Sequence, residues 1–392
     1  KVVTTSVKLN MPDELLEQNS QYRLIVIVTP TEGIDQLFNG TPDEPDDDLG
    51  VSNAGHLWVN GLGNIVSGQV IRHVSSLTFD PDGGGALEPV KLTLKGPGTV
   101  SVDANEGDLD LFVTNTTARS SLSAKVSKGE RLDLRDVEIS QTIGSVRLGA
   151  VDLSGVFTAS GGAKSIALGD LTGPSTMTLG AFDALGAQKA KLTLGSVRDV
   201  ASNSLMPVGK LTAVEWLDTG GAHEVLIAPS VDSFRITGAK NAERGDLSVD
   251  LTTTSSARMG TFTVAGLMVN SNVRANGDVG VVTVGAIQDS TFFAGVDERP
   301  DELSDFSASL EIRSFNVKGI DEVAKAMSNS DVAAREIRAI KVASVDELSG
   351  DSEFGFVADA IKTYNRIGVT KLKKLDSAGS FDATGNYAVR LI

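Results

Sequence analysis

The densest group of chemically reactive side chains in this sequence is an acidic segment near its N-terminal end. Residues 41–48 read TPDEPDDD. Carboxylate oxygens are the ligands that Ca²⁺ prefers, so this segment is a candidate calcium site. The candidate metal ligands are Asp43, Asp46, Asp47 and Asp48. A run of like charges is more commonly a solvated linker, and both interpretations stay open. A second acidic segment, Asp297–Asp305, is a further candidate for a divalent cation.

Nucleophilic and metal-dependent catalysis find little support in the sequence. There are no cysteines, which excludes disulfides, thiol catalysis, Fe–S clusters and Cys-based zinc sites. The three histidines, His56, His73 and His223, are not spaced as metal ligands are. Neither a Gly-x-Ser-x-Gly elbow nor a P-loop occurs. We therefore predict no catalytic residues and no certain cofactor.

A polysaccharide lyase or glycoside hydrolase is the enzyme alternative that the sequence leaves open. A hydrolase needs two carboxylates about 5–9 Å apart in a groove, and strands that stack side by side can provide them from distant residues. The carboxylates here cluster in loops and do not recur at one strand position. Aromatic residues, which stack on sugars, make up only 5% of the chain. A non-enzyme is the prediction.

The charge balance restricts the classes of partner. Lys and Arg total 35 against 51 Asp and Glu, which gives a formal net charge of −16. Phosphate binding needs a basic surface, so this balance argues against nucleic acid and anionic lipid. No apolar run approaches the roughly 20 residues that span a membrane. We predict a secreted or cell-surface protein that does not insert into a membrane.

A short template recurs along the second half of the chain. Met259–Leu267 (MGTFTVAGL) aligns with Val279–Ile287 (VGVVTVGAI), and repetition at about 20 residues is typical of stacked repeat units. Each copy places apolar residues at a start position and three, five and usually eight positions later. This spacing combines strand alternation with a turn and does not match a helix. A glycine that follows the strand, as at Gly149, Gly169, Gly195 and Gly285, is interpreted as a sharp bend.

A second block accompanies the template. Asn270-Ser271, Asp289-Ser290 and Asn329-Ser330 occupy matching positions, and Asn203-Ser204 is a fainter copy. Equivalent residues of stacked strands lie about 4.8 Å apart, so these side chains are predicted to form hydrogen-bonded ladders at one corner. That role is structural.

The pattern divides the chain into three parts. Residues 1–50 form a cap or assembly segment that includes the acidic loop, and residues 51–140 form irregular first β coils. Residues 141–392 form a repetitive solenoid with closing C-terminal coils. The predicted fold class is all-β: a right-handed parallel β-helix, or β-solenoid, with an N-terminal β-rich cap.

Three phrases carry a resemblance to a known type of protein: residues 279–296, residues 333–342 and residues 354–359 (FGFVAD). They resemble the exported β-strand-repeat proteins of planctomycetes and related bacteria. The resemblance covers residues 143–392. It implies a right-handed parallel β-helix at the cell surface and brings no catalytic motif with it.

The predicted function is that of an extracellular structural protein, a self-assembling or scaffolding subunit of a filament, surface layer or matrix. Its partner would be itself, because the terminal strands Val2–Leu9 and Tyr387–Ile392 could add to an open sheet edge of the next copy. The alternative is a cell-surface adhesin or glycan-binding module whose partner is a polysaccharide.

Overall fold

The chain is all-β in the computed structural model. The structure describes residues 37–38, 48–49, 76–79, 90–105, 108–182, 188–220, 224–240, 243–350 and 352–392. Strands make up 60% of these residues, and the one helical element among them is the 3₁₀ turn Leu303–Asp305. A membrane-crossing helix does not occur in the described ranges. The predicted all-β class with parallel strands is confirmed.

Two large sheets contain nearly all of the strands. In the order of pairing, the first sheet consists of β3 (Ser76–Phe79), β4 (Val90–Lys95), β7 (Ser121–Lys125), β10 (Ile143–Leu148), β13 (Ala163–Leu168), β15 (Ala190–Thr193), β17 (Val208–Ala213), β20 (Ser233–Ile236), β22 (Met259–Val269), β24 (Val279–Gln288), β26 (Glu311–Val317), β29 (Glu336–Val342), β31 (Ala360–Arg366) and β32 (Thr370–Leu375). The short β27 (Met327–Ser328) also pairs with β24.

Between successive strands of the first sheet, the chain forms the strands of a second sheet. Its strands are β5 (Thr99–Asn105), β6 (Asp108–Thr114), β8 (Leu132–Leu134), β9 (Val137–Ile139), β11 (Val151–Leu153), β12 (Phe157–Ala159), β14 (Leu171–Leu179), β16 (Ser196–Ser204), β18 (Glu215–Leu217), β19 (Val225–Ala228), β21 (Asp250–Thr253), β23 (Asn272–Ala275), β25 (Thr291–Ala294), β28 (Asp331–Ala334), β30 (Phe354–Ala358), β33 (Gly379–Thr384) and β34 (Tyr387–Leu391). A separate antiparallel pair joins β1 (Leu37–Phe38) to β2 (Asp48–Leu49).

Parallel pairing keeps equivalent template positions in register. In β22 and β24, Phe262 lies beside Val282 and Val264 beside Val284. These side chains are buried, but the eighth template position differs between the two strands, because Ile287 is buried and Leu267 is half-buried. The template positions three and five are therefore buried as predicted. At position eight a register shift pairs Met268 with Ile287, so Met268 is the buried residue of β22 there.

The pairing becomes antiparallel at both ends of the described strands. The strands β4 and β7 pair antiparallel at one end, and β5 pairs antiparallel with β6. At the other end β31 pairs antiparallel with β32, and β33 with β34. The predicted edge strand Tyr387–Ile392 is mostly β34, which lies between β30 and β33. It is thus an interior strand, because the hairpin from β33 covers its second side.

A column of aromatic rings runs through the interior of the later strands. Phe234 and Phe262 stack with ring centroids 4.9 Å apart and planes 9° apart. Phe292 and Phe315 continue the column edge-to-face, at 5.2 Å from Phe262 and 5.5 Å from each other. Phe292 of the second sheet lies between Phe262 and Phe315 of the first, so this contact joins the two sheets through the core.

Two of the four glycines after the strands lie where the chain turns or bends, and one of these two also has a packing role. Gly149, Gly169, Gly195 and Gly285 do not adopt a left-handed φ. At Gly195 a Cβ would overlap Asp170 Oδ1 and would lie 2.8 Å from the carbonyl carbon of Gly169, one layer away. Gly149 has open space around its missing Cβ. The predicted bend is confirmed at Gly149, which lies in a turn, and at Gly195, which lies at a bend, whereas Gly285 lies within β24. At Gly195 the close approach of the next layer is a further requirement for glycine.

Replacing each of these two glycines with alanine gives a matched test. Gly195→Ala is expected to destabilise the protein by about 1–3 kcal/mol, because the added methyl group overpacks the contact with Asp170. Gly149→Ala is expected to be neutral or to stabilise by up to about 1 kcal/mol through the unfolded state. Urea unfolding of both variants checks the difference. Equal midpoints would contradict the packing explanation.

The predicted corner ladder is confirmed. The Ser271 amide donates to Ser290 Oγ at 3.1 Å, and the Ser290 amide donates to Ser330 Oγ at 3.2 Å. The residues before these serines, Asn270, Asp289 and Asn329, all have φ between 38° and 49°. Asn and Asp tolerate this left-handed region better than other side chains. The fainter copy Asn203-Ser204 lies within β16 instead, and the left-handed residue of that strand is Asp199, with φ 54°.

Candidate functional site

The outer surface of the first sheet forms a long basic face. We define the basic face as the outward-facing residues of the first-sheet strands from β4 to β32. One of its columns, followed from strand to strand by pairing, contains Ser123, Arg147, Ala167, Thr193, Thr212, Arg235, Thr263, Thr283, Asn316, Lys341, Asn365 and Lys371. The column contains hydroxyls, amides and cations but no carboxylate. A neighbouring column adds Lys191 and Lys210 on consecutive strands.

Carboxylates are almost excluded from these strands. In the strands from β4 to β32 of the first sheet the acids are Glu311 and Glu336, the first residues of β26 and β29. Arg338 forms ion pairs with both, and Lys362 Nζ lies 2.5 Å from Glu336. The net charge of −16 is therefore an average over the chain that conceals a separate basic surface.

Most cations of the basic face have no anionic partner among the residues that the structure describes. They are exposed, and within the described ranges none of them forms an ion pair. These residues are Lys91, Lys95, Lys125, Arg147, Lys191, Lys210, Arg235, Arg313, Lys341, Lys371 and Lys373. No acid of the described residues neutralises these positive charges.

Many acids in the turns between the sheets are, in contrast, already engaged. Arg131 forms ion pairs with Asp152 and Asp170, and the Asp170 carboxylate also accepts the Ser196 amide at 2.8 Å. Asp246 repeats this arrangement by accepting from Arg244 and from the Leu267 amide at 2.7 Å. Each such carboxylate ties one layer to the next, so the arrangement is structural.

A cleft interrupts the basic face near its C-terminal end. It has a volume of about 180 Å³ and is lined by Thr283, Asn316, Val317, Lys318, Lys341 and Ile367. Drug-sized ligands occupy pockets of about 300–1,000 Å³, so this cleft suits a single small group and not a whole cofactor. Two ammonium groups, one amide and one hydroxyl around an apolar wall favour an anionic, hydroxylated group there.

The acidic segment Asp297–Asp305 lies over the outer surface of the second sheet. Phe306 packs there in a small apolar cluster with Phe293 and Val357. Arg299 pairs with Asp331 and, at 2.7 Å, with Glu353. Desolvation by burial raises the pKa of Asp331 despite that arginine. These contacts hold the segment down.

The carboxylates of this acidic segment serve local contacts. Asp305 accepts the backbone amides of Asp301 and Glu302, and these two hydrogen bonds lower its pKa. Asp301 accepts from Arg390 at 3.0 Å. The carboxylates of Asp301 and Asp305 therefore bind separate partners and do not converge on one point that could hold a cation.

Calcium binding by the acidic segment near the N-terminal end remains a prediction. Asp43, Asp46 and Asp47 lie outside the described residues, and Asp48 begins β2 with a side chain that is likewise outside them. His56, His73 and His223 are also outside the described residues. In the part of the chain that the structure describes, His, Asp and Glu side chains do not gather in a group of three that could hold a metal ion.

A buried polar cluster closes the C-terminal end of the core. The Tyr364 hydroxyl donates to Asp382 at 2.6 Å and lies 2.8 Å from the Tyr387 hydroxyl. Arg366 pairs with Glu347, which lowers the pKa of that carboxyl, and its guanidinium lies 5.6 Å from the Tyr387 ring centroid. These residues join β31 to the β33–β34 hairpin, so the cluster fixes the hairpins that cover the last layer.

The two buried tyrosines predict a loss of stability in alkali. Desolvation raises the pKa of both Tyr364 and Tyr387, so the folded protein keeps them protonated while the unfolded chain ionises them above about pH 10. The stabilisation from the two protonated tyrosines is therefore fully present below pH 10. Above pH 10 the free energy of unfolding falls by about 1.4 kcal/mol per pH unit for each tyrosine. Urea unfolding between pH 9 and pH 11 measures the slope. The variant Tyr364→Phe/Tyr387→Phe should flatten it, and an unchanged slope would contradict the assignment.

Sequence reasoning missed the basic face because it averaged the charge over the whole chain. The signal was present in the repeat itself. The residue between the apolar positions three and five, as in Arg147, Arg235 and Lys341, is never acidic along the aligned strands. Sorting charges by template position would have separated this face from the acidic turns.

Comparison with known proteins brings no function to this chain. No family model, no curated protein and no solved structure matches it. The function is therefore argued from geometry and charge.

Proposed function

We propose that this protein is a non-catalytic scaffolding rod, a right-handed parallel β-helix that acts at the cell surface. The single observation that carries the proposal is the unbroken succession of parallel strand pairs in the first sheet. Each strand from β7 to β31 pairs in parallel with the next, across loops of very different length. Such a stack resists bending, because each layer contributes both backbone hydrogen bonds and buried apolar area to its neighbours.

The proposed rod is about 60 Å long, since the strands from β4 to β32 follow one another at about 4.8 Å. One large apolar cluster extends from Val90 to Leu391 and supports its treatment as a single stiff body. Such a rod is longer than a compact domain of similar mass is wide, so it can place binding surfaces farther apart.

The ends of the stack favour scaffolding over end-to-end polymerisation. The edge strand β32 carries Lys371, Lys373 and Lys374, and lysines on an edge oppose pairing with another chain. The other edge, β33, changes register between Phe381 and Thr384. An irregular edge pairs poorly as well. The segment Val2–Leu9, proposed above as an assembly strand, lies outside the described residues.

Negative-stain electron microscopy of the purified chain tests this proposal, with and without residues 1–30. Isolated rods of about 60 Å in both samples are expected. Filaments or sheets that vanish on truncation would replace scaffolding with self-assembly through strand exchange. Cleavage of a polysaccharide panel by the purified chain would overturn the non-catalytic proposal.

The cell-surface location is part of the proposal and is supported by the resemblance to exported repeat proteins. Protease treatment of intact cells tests it, because a surface rod is digested while the cells stay sealed. Survival of the full-length chain alongside digestion of a known surface protein would contradict it.

A second candidate function is a surface module that binds glycans. The basic face favours it, because that face offers hydroxyls, amides and cations in straight columns.

A further inference from the structure

We propose that the basic face binds a linear acidic polysaccharide that lies along the stack of strands. The proposal rests on the rod proposed above, because only a straight stack aligns the cations of successive layers. The polymer would run parallel to the stacking direction, with its carboxylate or sulfate groups toward the lysines and arginines. Its hydroxyl groups would meet the Ser, Thr and Asn side chains between them.

The sign of the charge selects an anion. Lys191, Lys210 and Arg235 are exposed on three consecutive strands, and no ion pair with a described residue involves them. Like charges on neighbouring layers repel one another, and an external anion removes that repulsion. Turn acids such as Asp170 and Asp246 are held by arginines and backbone amides, so they are less available to pair with the basic face of a second copy.

The spacing of the cations on the basic face favours a polysaccharide over nucleic acid as the ligand. The face carries roughly one cation for each layer of about 4.8 Å. Duplex DNA carries one negative charge for about every 1.7 Å, close to three for each layer, and proteins that bind it read its grooves with a protruding element. A polyuronate carries one carboxylate on each sugar ring, a much lower density that suits this face.

The chemistry between the cations also fits sugars. Hydroxyl and amide side chains fill the column beside Arg147 and Arg235, at Thr193, Thr212 and Thr263. Single-stranded nucleic acids bind through aromatic side chains that stack on bases. None of the outward positions of the strands from β4 to β32 in the first sheet is aromatic. A flat, hydroxylated and cationic surface therefore favours a sugar polymer.

The cleft gives the face one distinct subsite. Lys318 and Lys341 flank it, with Thr283 and Asn316 on the neighbouring strands. Ile367 supplies an apolar wall and is 46% exposed. One acidic sugar fits this arrangement, with its carboxylate between the ammonium groups and its ring against the isoleucine. The cleft would set the register of the polymer on the face.

Binding of polygalacturonate to the full chain tests the proposal, with its methyl ester as the neutral probe of the same backbone. The face variant is Lys191→Glu/Lys210→Glu/Arg235→Glu. The control variant is Lys128→Glu/Lys240→Glu/Lys325→Glu, which makes the same change in net charge at exposed turn positions away from the face. Titration calorimetry at 50 mM salt gives the affinities, and circular dichroism checks that both variants fold.

The wild type is expected to bind polygalacturonate but not its ester, and to bind more weakly at 200 mM salt. The face variant should lose at least about tenfold in affinity and the control variant less than about threefold. An equal loss in both variants, or no binding by the wild type, overturns the proposal. Tighter binding to a short DNA duplex or to phosphatidylglycerol vesicles assigns the face to nucleic acid or membrane instead. A wild-type dimer that only the face variant dissociates assigns it to a second copy.

A second measurement distinguishes failure of the polysaccharide proposal from failure of the scaffolding proposal. Small-angle scattering of the same samples reports the length of the particle without any ligand. A rod that binds no polyanion overturns only the ligand, whereas a compact particle overturns the rod.

Discussion

Replacement of Phe262 with alanine is expected to destabilise the protein by about 3–5 kcal/mol. The Phe262 side chain is fully buried, stacks on Phe234 at 4.9 Å and meets Phe292 edge-to-face at 5.2 Å. Alanine would leave a cavity in the middle of the aromatic column, where the backbone of two sheets prevents collapse. It would also remove both ring contacts, each of which contributes about 0.5–1.5 kcal/mol in other proteins.

Urea unfolding followed by circular dichroism measures this loss. The matched control is Thr261→Ala on the same strand, where the exposed hydroxyl makes one hydrogen bond to Ser233 at 2.9 Å. That variant should stay within about 0.5 kcal/mol of the wild type. In stacked repeats a local defect can also divide the transition, so Phe262→Ala should broaden the curve or give two steps. A Phe262→Ala curve that coincides with the wild type would show that the column does not join the sheets.

Replacement of Arg366 with methionine is expected to cost about 3–5 kcal/mol, because it removes one partner of a buried charged cluster. The Arg366 and Asp382 side chains are each 7% exposed and lie 3.7 Å apart. After the substitution the Asp382 carboxylate would keep the Tyr364 hydroxyl but no cation. Methionine fills much of the space of arginine, so the loss measures charge more than volume.

A second substitution separates charge from packing in this cluster. Asp382 has φ 47°, which asparagine adopts readily, so Arg366→Met/Asp382→Asn keeps the backbone while it removes the unpaired charge. The double variant should recover about 0.5–3 kcal/mol relative to Arg366→Met, as measured by the same urea unfolding. The control Arg390→Met breaks a pair with Asp301, whose side chain is 82% exposed, and should cost less than about 1 kcal/mol. A double variant no more stable than the single one would contradict the electrostatic explanation.

Much of the strand pattern was predictable because it depends on local alternation. Val279, Val282, Val284 and Ile287 are all buried, as the template predicted. Strand alternation explains the pair Val282 and Val284, because it sends every second side chain to the same side. The corner positions Asn270, Asp289 and Asn329 were also predictable, because these residue types tolerate the left-handed backbone of a tight corner.

Contacts between layers were not predictable in the same way. Gly149 and Gly195 occupy similar places in the sequence, yet only Gly195 touches a side chain of the preceding layer. The loops between layers differ in length, so the sequence does not say which residue of one layer meets which residue of the next. The sequence also did not predict that Tyr387–Leu391 is an interior strand, because this depends on a hairpin that folds back over it.

By itself, the sequence determined the all-β class, the parallel repeat, the positions of the buried residues and the serine corner. Each of these follows from the period of side chains along one strand or one turn. Only the tertiary structure decided the charge of each surface, the partners of each carboxylate and the closure of the ends. Those properties arise between residues far apart in the chain, which parallel pairing places about 4.8 Å from each other. A net charge of −16 could therefore coexist with a basic face, because pairing brings together cations that the sequence scatters over more than two hundred residues.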